Sequence, residues 1–131
     1  MLYMLDTNMV SHLIKLNSAV VKQVTTRPMA LLCISAITEG ELMFGLAKRP
    51  TAKPLQTAVR EFLKRVDVLA WDSNAASKYG EVRAAMEKQG KPMGPLDMLI
   101  GAHALSAQAV LVTNDAAFIN VHGLQVEDWS Q

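Results

Sequence analysis

The chain opens with MLYMLDTN (residues 1–8), and the reading of this stretch sets the fold. Leu2, Tyr3, Met4 and Leu5 form a continuous apolar run without alternation. Such a run suits a strand covered on both faces, as in a parallel sheet, rather than one with a wet side. Asp6 then marks the point where the strand leaves the core. Similar short runs recur at Leu31–Ile34, Val66–Ala70 and Val110–Val112, and a weaker strand is expected at Gln125–Glu127. Helical spacing lies between them. Leu55, Val59, Phe62, Leu63 and Val66 mark one helix face, and Ala75, Ala76, Tyr79, Val82 and Met86 another. LDMLIGAHAL is apolar nearly all round, so its helix is expected to be buried. KRPTAKP at 48–54 reads as a turn between helices. Strands alternating with helices predict an α/β domain whose mostly parallel central sheet is flanked by helices on both sides.

Composition fits one such domain over residues 1–131, half of them apolar. No apolar run approaches the ~20 residues of a membrane span, and the start lacks the basic region and long apolar stretch of a signal peptide. A single cysteine, Cys33 in LLCIS, excludes an internal disulfide and reads as a buried, inert thiol in a reducing cytoplasm. Thirteen basic residues against twelve acidic give a net charge of +1, which does not by itself advertise a nucleic-acid binder.

In a parallel sheet the loops leaving the C-terminal strand ends share one edge, where ligands bind. Asp6 leaves the first strand there. ISAITEGELMFG follows the second strand; with a helix starting near Thr38, Glu41 lies in its first turn. VLVT is followed directly by Asn114 and Asp115. The GPLDMLIGAHA helix runs back towards the start of VLVT, so Asp97, in its first turn, also sits at that edge. Four carboxylates distant in sequence converge on one rim. Each has a simpler explanation as well. Asp6 and Asp115 suit helix N-caps, Thr38–Glu41 fits a capping box, and Asp97 suits a helix dipole. Capping alone needs no carboxylate cluster, because serine or threonine serves. A divalent cation such as Mg²⁺, which prefers hard oxygen ligands, accounts for all four together. Glu39 lies about 200° round the helix from Glu41, so only one of them faces the site. Glu41 shares its stripe with Ile37, Phe44 and Gly45, which read as inward-facing, and Glu39 is left to solvent or capping.

MLDTN, AITEGELMFG, GKPMGPLDMLIGAHA, VLVTNDAAF and the terminal VEDW, in this order, resemble the PIN-domain ribonucleases, above all the VapC toxins of bacterial toxin–antitoxin pairs. The likeness covers essentially the whole chain. It implies a PIN-like three-layer fold and an active site of Asp6, Glu41, Asp97 and Asp115. It also implies Mg²⁺ or Mn²⁺, RNA cleavage, a homodimer, and inhibition within a hetero-oligomer by a cognate antitoxin. Relatives with this tail imply initiator tRNA as the substrate and arrest of translation as the result. Glu39 is not part of the family pattern. On the chemistry, Asp6 and Asp97 are the expected principal metal ligands, with Asp115 completing the shell directly or through water. Glu41 orients or deprotonates the attacking water, and Thr113 and Asn114 support the site by hydrogen bonds.

Setting the four acids aside leaves eight acids against thirteen bases, a surplus able to hold a phosphate backbone. Arg60 and Lys64, with Lys48, Arg49 and Lys53 nearby, are candidates. No aromatic stacking platform is evident, and His12, His103 and His122 lack metal-ligand spacing; His103 reads as structural. Two other functions compete. A Mg²⁺-binding phospho-signalling receiver needs adjacent acids after the first strand and a lysine after a late one, and both are missing. A non-catalytic RNA-binding or scaffold module on the same fold would not need all four acids.

Overall fold

The computed structural model describes residues 1–131. Five strands form one sheet: β1 (Tyr3–Leu5), β2 (Leu32–Ser35), β3 (Asp67–Leu69), β4 (Val110–Val112) and β5 (Val126–Glu127). Their order is β3-β2-β1-β4-β5, and every pair is parallel. Six helices cover it: α1 (Thr7–Ile14), α2 (Ser18–Thr25), α3 (Ala36–Lys48), α4 (Lys53–Arg65), α5 (Ser73–Gln89) and α6 (Pro95–Ser106). No helix is long and apolar enough to cross a membrane.

Strand alternation divides the core into two layers. Leu5, Leu32, Ile34 and Val112 face one cluster, which α1 to α4 complete with Val10, Val20, Leu42, Leu46 and Val59. Met4, Cys33 and Leu111 face the other, completed by α5 and α6 through Val82, Met86, Ile100 and Ala104. Both faces are buried, which is why the strands read as unbroken apolar runs. Burial and the nearby Asp67 push the Cys33 thiol up to about 12, so it stays protonated and unreactive.

Register aligns the strand ends that matter. Tyr3 pairs with Leu32 and with Val110, and Leu5 with Val112. The Asp6 N–H donates to the Val112 carbonyl at 3.0 Å, so Asp6 and Thr113 leave the sheet side by side. Gly101 on α6 opens space for a ring; a Cβ there would stand 3.3 Å from Phe118 Cε1. Phe118 is fully buried against it and anchors the 3-10 turn Ala116–Asn120 that follows Asp115. Burying such a side chain is worth about 1.5–3 kcal/mol.

Three local expectations are corrected. Helix α3 begins at Ala36, not near Thr38, because Ser35 caps it by accepting from the Ile37 N–H at 3.1 Å. Thr38 is therefore inside the helix and fully buried, and no capping box with Glu41 forms. The inward stripe of α3 is Thr38, Leu42 and Leu46, whereas Phe44 is 64% exposed. In α5 the buried face is Ala75, Val82 and Met86, and Ala76 is exposed.

Candidate functional site

The C-terminal edge of β1 and β4 is where the acids meet. Asp6 is the N-cap of α1; its Oδ1 accepts from the Met9 N–H at 2.8 Å, and it is only 3% exposed. Burial raises its carboxyl to about 6. The Thr113 hydroxyl and Met9 N–H oppose the rise, and the charges of Asp97 and Asp115 add to it. Capping and clustering are thus both true of Asp6. Thr113, itself buried, neighbours both acids: its hydroxyl helps to offset the rise at Asp6, and its oxygen accepts the Asp115 N–H at 3.0 Å. Asp115 in turn caps the 3-10 turn by accepting from the Ala117 N–H at 2.9 Å.

Asp97 stands in the first turn of α6, which Pro95 starts. Its carboxyl is raised by burial first, then by Asp115 and Glu41. A side chain on Gly94 would begin 3.4 Å from Asp97 Oδ2, so glycine leaves that flank of the carboxylate open. Glu41 comes from the second turn of α3, where it accepts a hydrogen bond from the Thr7 hydroxyl. The Thr7 and Thr38 hydroxyl oxygens are 3.3 Å apart, tying α1 to α3 beneath Glu41. The structure therefore brings Asp6, Asp97 and Asp115 within mutual influence, with Glu41 acting on Asp97. Glu39 exerts no such influence on the cluster. Asn114 is exposed and lies 3.2 Å from His12 Nε2 through its amide nitrogen.

No cation is paired with these carboxylates. All four salt bridges lie elsewhere, on the surfaces of α4 and α5. A partly buried set of acids without a basic partner is electrostatically incomplete, and its oxygen-only donors match a hard divalent ion. As they stand, no three His, Cys, Asp or Glu side chains gather tightly enough to hold an ion by themselves. An ion that keeps several waters and takes one or two carboxylates suits such a set better than one needing a full protein cage.

The basic candidates divide. Lys64 is engaged with Glu61 at 3.3 Å, and the Lys48 ammonium lies 5.2 Å from the Phe44 ring centre. Lys48 and Arg49 border a cleft of about 240 Å³ between α1, α3 and α4 whose far end is Thr7 and Glu41. Lys15, which the sequence did not single out, borders it too. Two other features were not legible. His103 is buried and bonded through Nδ1 to Ser35 Oγ at 2.7 Å, a tie between α6 and the cap of α3; burial lowers its pKa. Arg27 lies over Tyr3 and Trp129, with its Cζ 4.9 and 4.4 Å from their ring centres, and holds the chain end against β1. In each case the partners are far apart in sequence, so no spacing announces them.

Comparison with known proteins bears on the chain as a whole. The family model of the PIN domain matches residues 3–124. The tRNA(fMet)-specific endonuclease VapC of Shigella flexneri is 38% identical over 129 residues, covering 98% of each chain. The protein of the same description from Salmonella typhimurium is 35% identical, covering 97% of each. Among solved structures, VapBC2 from Rickettsia felis bound to a promoter DNA fragment superposes with a TM-score of 0.91 at 30% identity. It covers 98% of this chain and 99% of that one. DNA-bound VapBC from Salmonella typhimurium gives the same TM-score at 36% identity and the same coverage. With the sheet order, the rim of acids and these likenesses in agreement, the chain belongs to the PIN domain family, among the VapC ribonucleases.

Proposed function

We propose that this protein is a Mg²⁺-dependent endoribonuclease, with Mn²⁺ able to substitute. We propose further that it is the toxin of a toxin–antitoxin pair, cutting initiator tRNA in the cytoplasm and thereby arresting translation. The observation that carries the proposal is the convergence of Asp6, Glu41, Asp97 and Asp115 at one sheet edge without a basic partner. The names of the relatives supply the RNA class.

Asp6 and Asp97, with Asp115, would hold the ion. When bound, it would supply charge relief on the phosphate and a lowered pKa for an attacking water. The chain's own groups do the rest. The Met9 N–H fixes the Asp6 carboxylate and Thr113 the Asp115 backbone, so two acids are held before substrate arrives. The Thr7 hydroxyl fixes Glu41, which orients the attacking water and accepts its proton. Incubation with total tRNA in Mg²⁺ is expected to give discrete fragments, which EDTA abolishes and Mn²⁺ restores. Equal cleavage in EDTA, or none in either metal, overturns the reading.

The antitoxin reading is supported by a groove. Leu13, Ile14, Val24 and Phe62 line a mainly apolar cavity of about 520 Å³ between α1, α2 and α4, and Ile14 also borders the cleft that ends at Thr7 and Glu41. A partner helix in the groove could pass its tail along the cleft and set an arginine against the carboxylates, as a bidentate pair. Co-expression with the product of the adjacent small gene is expected to yield a stable, inactive complex. A fully active complex, or none at all, refutes this mode of inhibition.

A further inference from the structure

On the opposite face of the sheet from the groove, α5, the loop after it and the start of α6 line a cavity of about 570 Å³. Pro95 and Met98, from the same first turn of α6 that carries Asp97, form part of its wall, so it lies at the end of α6 that reaches the candidate cleavage site. We propose that this cavity is a nucleotide subsite, in which an unpaired base of the RNA next to the scissile phosphate stacks on the guanidinium plane of Arg83. The inference rests on the reading of the acid rim as an RNA-cleaving site.

Four observations support it. The volume falls in the range of small-molecule sites and accommodates one nucleotide. Arg83 is held flat on both flanks: its Nε donates to Glu87 at 3.2 Å and its Nη1 to the Tyr79 hydroxyl at 3.0 Å, one helical turn to either side. A guanidinium plane fixed in this way is preorganised for stacking, and unstacked RNA bases are commonly read on arginine planes as well as on aromatic rings. The floor is methionine-rich, with Met86, Met93 and Met98, polarisable groups that adapt to a flat ring. Lys91, brought back over the cavity by the left-handed Gly90 (φ 66°) that ends α5, has no carboxylate partner and is free to meet phosphate. As a surface ion pair Arg83–Glu87 would add little to stability, whereas as a platform its geometry has a use.

The test is fluorescence anisotropy of a labelled single-stranded RNA of about ten nucleotides, titrated with the intact protein in EDTA. Arg83→Ala is expected to weaken binding about 10-fold, the usual scale of losing one stacking partner. Arg83→Lys, which keeps the charge and loses the plane, is expected to weaken it nearly as much. Lys78→Ala, a control on the far part of α5 paired with Glu81, is expected to bind as wild type. In cleavage with Mg²⁺, removing the base beside the cut is expected to slow wild type about 10-fold and Arg83→Ala hardly at all. Wild-type binding by Arg83→Ala, or full rescue by lysine, overturns the subsite. An Arg83-dependent dimer with unchanged RNA binding assigns the cavity to a second copy and also overturns it. Arg83-dependent binding without cleavage by any variant keeps the subsite and removes the nuclease reading, so the two failures are distinct.

Discussion

Asp97→Asn is expected to reduce tRNA cleavage by at least about 100-fold while the protein remains folded and melts within a few degrees of wild type. Loss of an outer-shell partner alone costs a metal site about 10–100-fold, and a direct ligand should cost no less. The substitution keeps shape and removes only charge. It gives up a favourable interaction with the start of α6, worth roughly 0.3–1 kcal/mol. It also relieves the repulsion from Asp115 and Glu41 that raises the Asp97 carboxyl. The two effects oppose each other, so activity and stability should separate. Single-turnover cleavage and thermal unfolding of the same preparation check this. If Asp97→Asn cleaves at the wild-type rate, Asp97 is a helix-dipole residue and nothing more. If it unfolds, the activity loss says nothing of the site, and Asp97→Ser becomes the variant to measure.

Much of this site was legible before any coordinates, for a definite reason. In a parallel sheet a strand's end fixes the edge at which the next residue emerges, so Asp6 and Asp115 could be placed from LYMLD and VLVTND alone. Asp97 needed one further step, the direction of the helix that returns to β4. Glu41 was placed correctly by a partly wrong route. The capping box suggested by Thr38-Glu39-Gly40-Glu41 does not form, because Ser35 caps α3 first and Thr38 is drawn into a tertiary contact with Thr7. Local chemistry proposed one partner, and packing across 31 residues supplied another. The same holds for the inward face of α3. Phe44 reads as core by type, yet α3 turns Leu42 and Leu46 inward and leaves the ring to solvent beneath Lys48. The Arg27 stack and the His103–Ser35 bond join residues whose spacing carries no period, so no sequence pattern marks them.

The burial of Asp6 makes stability a second witness to the metal site. Its carboxyl lies near 6 in the folded chain, against an ordinary 3.8. The native state therefore binds the proton more tightly than the unfolded chain does. Stability from this group is complete below about pH 4, falls as pH rises towards about 6, and stays low above that. A rise of about two units corresponds to ~3 kcal/mol, an order-of-magnitude figure for a nearly buried group. Asparagine carries no such penalty and can still cap α1 through its carbonyl oxygen. In EDTA at pH 7, Asp6→Asn is therefore expected to melt at or several degrees above wild type, and the advantage should vanish near pH 4. Mg²⁺ should reverse the order. An ion that binds only the folded protein stabilises it by about 2.7 kcal/mol at 100 times its Kd, and wild type should gain most of this. Asp6→Asn, missing a ligand, should gain little. Calorimetry of both proteins across a Mg²⁺ titration decides the matter. Equal shifts would reduce Asp6 to a helix cap and leave the rim without its ion. A variant less stable than wild type at pH 7 in EDTA would mean that Thr113 and Met9 hold the charged carboxylate well enough to cancel its burial.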